Sequence, residues 1–103
     1  MVRVVVLYPH SPGKRFDFDY YMNRHIPLVQ RLGEGQGISE IQVSKVKAGL
    51  GGGGQEYVCA ATLAFDSEGS AQRYLASHGA EIFADIPNYT DIQPVIQMSE
   101  ALL

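Results

Sequence analysis

The chain has 103 residues, of which 46% are hydrophobic and 18% charged, with a formal net charge of −3. That is the length of one domain, with enough apolar material for a packed core and too little charge for a disordered chain. No Lys/Arg run supplies the positive stripe that a phosphate backbone needs, which argues against a nucleic-acid partner.

The longest apolar runs, 4–8 and 58–65, are far short of the roughly 20 residues that span a bilayer. The N-terminus also lacks a signal-peptide pattern. No membrane partner is expected, and the chain reads as cytoplasmic. Its single cysteine, Cys59, lies in a β-branched and apolar stretch, which predicts a buried inert thiol rather than a nucleophile. A subunit this small buries only about 60–70% of its unfolded surface, so self-association would add materially to its stability.

Residues 2–8 are dense in β-branched side chains and stop at Pro9, which predicts a strand followed by a loop. Asp17 and Asp19 then precede Tyr20, Tyr21, Ile26, Leu28, Val29 and Leu32 at near-helical spacing, ended by Gly33 and Gly35. Pro27 lies inside this helix and should kink it or divide it after His25. Residues 38–47 alternate partly and predict a half-exposed strand.

The glycine-rich run 48–55 formally satisfies G-x-G-x-x-G. A strand follows it, however, at Tyr57 to Phe65, where a dinucleotide site needs a helix N-terminus. The run therefore reads as a flexible hairpin loop. Asp66 and Ser67 can cap a second helix with Ala71, Tyr74, Leu75, Ile82 and Phe83 on its inner face and a break at His78-Gly79. Pro87 closes that region, and the last strand is expected from about Gln93 to Leu102.

The order β-α-β-β-α-β is that of an α+β ferredoxin-like fold, a four-stranded antiparallel sheet with two helices on one face. In the first strand Val2, Val4, Val6 and Tyr8 oppose Val5 and Leu7, and in the third Cys59, Ala61, Leu63 and Phe65 oppose Val58, Ala60, Thr62 and Ala64. Both sheet faces are largely apolar, whereas two helices cover only one. A second copy packed sheet to sheet is the economical cover, which predicts a homodimer.

His25 is the side chain best suited to exchange protons near neutral pH, and Pro27 two residues later would fix its position at a helix irregularity. It would equally serve as a helix-end histidine satisfied by a nearby carbonyl. Asp85, Asn88, Tyr89 and Thr90 gather a carboxylate, an amide, a phenol and a hydroxyl around Pro87, a set that suits either a pocket or a simple turn. His10 and His78 are expected in exposed loops. The histidines show no metal-ligand spacing, no serine lies in G-x-S-x-G, and neither a metal nor a cofactor is expected.

Tyr8-Pro9, Phe16-Asp17, Tyr20-Tyr21 and His25-Ile26-Pro27-Leu28-Val29 are followed by Phe65-Asp66-Ser67 and by Ala84-Asp85-Ile86-Pro87-Asn88-Tyr89-Thr90. In that order and spacing, over nearly the whole chain, the sequence resembles the EthD family. The resemblance implies a dimeric α+β barrel, in which two ferredoxin-like subunits close a common interior with His25 in its pocket. The family's namesake is linked to ethyl tert-butyl ether degradation, and the wider superfamily includes polyketide cyclases, muconolactone isomerases and cofactorless monooxygenases. Fold analogy does not choose among these, and the lack of tryptophan weakens the oxygenase reading.

These residues suit two functions. One is a cofactor-independent enzyme moving protons at carbon, by isomerisation, cyclisation or dehydration, on a small apolar carbonyl, phenolic or lactone compound. Its acid/base would be His25 with Asp85 orienting it, and Tyr8, Tyr20, Asn88 or Tyr89 would polarise the substrate oxygen. The other is a non-catalytic binding or accessory homodimer that sequesters a small apolar metabolite.

Overall fold

A computed structural model describes residues 1–103. β1 (Val2–Pro9) leads into a helical stretch of α1 (Phe18–Tyr20), a π-helical turn (Tyr21–His25) and α2 (Ile26–Leu32). β2 (Ile38–Lys45) and β3 (Tyr57–Phe65) follow, then α3 (Glu68–Asp85), a 3-10 turn (Ile86–Asn88) and β4 (Val95–Glu100). The strands form one antiparallel sheet in the order β2-β3-β1-β4. This is the expected α+β ferredoxin-like arrangement.

The first helical stretch starts where the Asp17 carboxylate accepts the Tyr20 N–H at 3.1 Å, satisfying one of the unpaired donors of a helix start. It widens at the turn before Pro27, where the Ile26 N–H reaches back to the Tyr21 carbonyl, five residues away. Pro27 has no N–H to continue the ladder and sits instead in the first turn of α2, where the loss costs least. The irregularity expected after His25 is therefore real, and it takes the form of a π-turn.

The break expected at His78-Gly79 does not form. α3 runs unbroken for 18 residues from its Ser67 cap, because the roughly 1 kcal/mol by which an interior glycine disfavours a helix is offset by burying Ala71, Tyr74 and Ile82. His78 is consequently not in a loop. It is half-buried on α3 with its ring 5.6 Å from that of Tyr74. The two outer strands are also shorter than the sequence pattern suggested, and Pro94, which cannot donate to the ladder, fixes the late start of β4.

Register places Val2, Val4, Val6 and Tyr8 beside Phe65, Leu63, Ala61 and Cys59 on one face. On that face Val4, Leu63 and Phe65 pack with Val29 of α2 and Ala71, Tyr74 and Ile82 of α3. A second cluster at the far end of β1 joins Tyr8, Cys59, Tyr21, Ile26, Tyr89 and Ile92. Cys59 is fully buried as expected, and burial pushes its thiol up to about 11. At the near end, Gly37 has φ +85°, and a Cβ there would stand 2.7 Å from the Asp66 carboxylate. Glycine is required because the β2 start and the α3 start meet at this point.

No helix covers the other face, whose centre carries Val5, Leu7, Val58, Ala60 and Thr62, with Gln42, Ser44, Gln97 and Ser99 toward the edges. No helix in the chain is long and apolar enough to cross a membrane.

Phe65, fully buried between the sheet and α3, tests the helix-side core. Phe65→Ala is expected to lower the unfolding free energy by about 3–5 kcal/mol, measured in a urea titration at constant slope.

Candidate active site

The residues singled out from the sequence come together on the helix face of the sheet, at the end where β1, the π-turn and the segment after α3 meet. His25 is held by its own helix and by that segment. Tyr21, four residues earlier on the same helical row, stacks on the imidazole at 5.5 Å between centroids and 16° between planes. Tyr89 closes the other side at 4.6 Å. Both tyrosines are buried, and His25 is 4% exposed.

The segment after α3 is laced to the loop that follows β1. Asp17 N–H donates to the Tyr89 carbonyl at 2.7 Å, Thr90 Oγ1 donates to the Arg15 carbonyl at 2.7 Å, and Arg15 Nη2 donates to the Pro87 carbonyl at 2.6 Å. Phe16 and Thr90 form an isolated antiparallel bridge. Tyr89 is thus fixed by backbone on both sides, which aims its hydroxyl.

Hydrogen bonds connect the polar groups into a line. His25 Nδ1 lies 2.9 Å from Asp85 Oδ2, and Tyr89 OH lies 3.3 Å from His25 Nε2 and 2.6 Å from Tyr8 OH. An ionised carboxylate only accepts, so Nδ1–H must donate to Asp85, leaving Nε2 as an acceptor. Tyr89 then donates to Nε2, and Tyr8 donates to Tyr89. With the imidazole neutral, every proton in the line has one place.

The pKa directions agree with this assignment. Burial holds the His25 imidazole below its ordinary 6.5, outweighing the hydrogen bond and charge of Asp85, which act in the opposite sense. Burial pushes the Asp85 carboxyl up, but hydrogen bonds from Tyr20, Asn88 and His25 together hold it below the ordinary 3.8. The neutral imidazole and ionised carboxylate are therefore the pair present at neutral pH. Burial pushes the Tyr8 phenol up to about 12 and Tyr89 further still, so both are protonated donors.

Tyr20 and Asn88, expected from the sequence beside a substrate oxygen, both meet the Asp85 carboxylate. Tyr20 OH donates to Asp85 Oδ1 at 2.6 Å and Asn88 Nδ2 donates to the same oxygen at 3.0 Å. They orient the carboxylate, one step removed from the imidazole. Asp85 terminates α3, and Pro87 and the 3-10 turn after it bring Asn88 back over the carboxylate.

A cavity of about 50 Å³ begins at this line and runs between the sheet, α2 and α3. His25, Tyr8 and Tyr21 form its polar end, and apolar residues such as Val4, Leu63, Ile82 and Ile96 form the rest. The cavity lies within one chain, on the helix face. The interior that two facing sheets would enclose lies on the opposite side, so His25 does not point into it, contrary to the expectation. Tyr21, Phe83 and Ile96 line the cavity, though none was expected from the sequence as a site residue. Only Tyr21 left a signal, its four-residue spacing from His25. His10 is exposed after β1, outside the site. No three His, Cys, Asp or Glu side chains converge as a cation cluster.

A ferredoxin-like subunit with a histidine–carboxylate pair at the end of an apolar cavity defines the class of protein. An EthD-like protein from Ralstonia eutropha shares 39% sequence identity with this chain, with 99% of this chain and 92% of that one covered and a TM-score of 0.86. An ethyl tert-butyl ether d (EthD) family protein from Bacillus halodurans, 20% identical, covers 99% of both chains with a TM-score of 0.77. A dimeric ferredoxin-like protein of unknown function from Thermobifida fusca, 16% identical, covers 97% of this chain and 90% of that one with a TM-score of 0.63. No family model and no curated protein matches the chain. The chain belongs to the EthD family.

The opposed environments of His25 and Asp85 give stability a signed pH dependence. An unfolded chain takes up a proton on His25 near 6.5 while the folded chain resists it, so stability is full above that pH and falls as pH drops through it. Asp85 adds a second loss as pH falls through 3.8, having contributed its full stability above that value. Asp85→Asn is expected to lower the His25 pKa further and to cost about 1–3 kcal/mol, read by NMR titration and urea unfolding.

Proposed function

We propose that the protein is a cofactor-independent enzyme that moves a proton at a carbon of a small apolar carbonyl, phenolic or lactone compound, in an isomerisation, cyclisation or dehydration. The observation that carries this reading is the hydrogen-bonded line Asp85–His25–Tyr89–Tyr8 ending in an apolar cavity. A neutral imidazole whose Nε2 is engaged only by the long Tyr89 contact is a base near neutral pH once that contact is displaced, and Asp85 stabilises the imidazolium it becomes.

The line also supports a way for Tyr8 to act. The Tyr89–Nε2 contact is long at 3.3 Å and yields to a substrate. Once displaced, the Tyr89 proton turns to the Tyr8 oxygen, and the Tyr8 proton is released to donate to the substrate's oxygen. Nε2 then takes the proton leaving carbon while Tyr8 stabilises the negative charge developing on oxygen. Return of the proton to a different atom completes the turnover without any external acceptor.

The same contact favours the second reading, a non-catalytic homodimer that sequesters a small apolar metabolite, since Tyr89 already satisfies Nε2. Deuterium incorporation in D2O separates the two. A panel of small apolar ketones, phenols and lactones is expected to include a compound whose carbon-bound proton is exchanged, with His25→Gln slowing exchange by about 10²–10⁴-fold. Binding without exchange by the wild-type protein supports sequestration instead, and full exchange by His25→Gln removes His25 from the chemistry.

The assembly belongs to the same proposal. Two copies meeting through Val5, Leu7, Val58 and Ala60 would cover the open apolar face, in a sheet-to-sheet α+β barrel. Light scattering is expected to give twice the 11.3 kDa chain mass. Leu7→Glu should yield single chains in which the His25 titration is unchanged, because the cavity is built within one chain.

A further inference from the structure

The narrow cavity that ends on His25 and Tyr8 is separated from a much larger groove by very few side chains. At about 50 Å³ it has room for only a few water-sized groups. The groove outside, lined by Pro87, Asp91 and Gln93 among others, measures about 580 Å³, within the usual range for small-molecule sites. Phe83, Ile86, Pro94 and Ile96 line both spaces and form the partition.

Three of these partition residues are held in place. Ile96 is paired in register with Val6 of β1, Ile86 begins the 3-10 turn, and the ring of Pro94 has little freedom. Phe83 is different. It projects from α3, is 44% exposed, and lies one turn beyond Gly79. A Cβ on the buried Gly79 would find only the edge of the Phe83 ring, at 3.6 Å.

Long helical side chains lean back over the preceding turn, so this ring lies beside Gly79, which offers it no side chain. Glycine in a helix interior is less stable than alanine. Here it leaves the space in which the ring can turn.

We propose that Phe83 is the size gate of the pocket and its specificity-determining residue. With the ring across Gly79 the cavity admits at most a single small ring, and with the ring swung outward cavity and groove merge to admit a bicyclic compound. The inference rests on reading the cavity as the substrate site. It adds the residue that sets substrate size.

Calorimetry with phenol and 2-naphthol as probes, with the His25 ring signals followed by NMR, tests it without turnover. Phe83→Ala is expected to raise the affinity for 2-naphthol relative to phenol by about tenfold or more, and Phe83→Trp to lower it. Phe83→Leu provides an intermediate variant should the alanine protein fail to fold.

A ratio within about twofold of wild type in folded variants overturns the gate. If the probes still move the His25 signals in that case, the pocket reading stands alone. A shifted ratio with unmoved His25 signals places the probe in the outer groove and overturns both the gate and the pocket reading. Absence of binding to both wild type and folded Phe83→Ala overturns both.

Discussion

The hydrogen bond from His25 Nδ1 to Asp85 Oδ2, 2.9 Å long, joins residues 60 positions apart in the chain and fixes the chemical state of everything around them. Because the carboxylate only accepts, the imidazole must carry its proton on Nδ1, and this decides in turn what Tyr89 and Tyr8 donate to. Two local irregularities bring the partners together. The π-turn before Pro27 places His25 against the sheet, and the end of α3 places Asp85 beside it.

The environment around the pair sharpens its chemistry. Tyr21 and Tyr89 exclude water from the two faces of the ring, so burial keeps the imidazole neutral, while Tyr20 and Asn88 keep the carboxylate ionised through its second oxygen. Two groups whose environments push them toward opposite charge states are the ordinary means by which a site separates acid from base. The apolar remainder of the cavity raises the value of each of these interactions by excluding solvent.

Much of the fold was legible because strand periodicity and the two capping segments are local signals. Val2 through Tyr8 and Tyr57 through Phe65 could be read as strands, and the helix irregularity at His25 followed from Pro27 two residues later. Asp85 and His25 were recognisable as a pair through the family resemblance, not through spacing. What could not be read depends on tertiary geometry. The continuity of α3 through Gly79 is decided by burial on its inner face. The roles of Tyr20 and Asn88 depend on which carboxylate oxygen they meet. That the pocket lies under the helices and not between sheets is a matter of side-chain direction on β1, where Tyr8 shares a face with Val4 and Val6.

Placing the pocket within one chain also separates two properties that a shared interior would have linked. The open sheet face and the cavity lie on opposite sides of the sheet, so in the proposed dimer association and the proposed chemistry would use different faces. The proposed base and both tyrosine donors therefore depend on the state of a single imidazole. Long-range proton–nitrogen NMR of the His25 ring at pH 7 reads that state directly. A neutral ring protonated on Nδ1, the tautomer that free histidine disfavours, is the expected result, and a ring protonated on Nε2 or on both nitrogens would contradict the account.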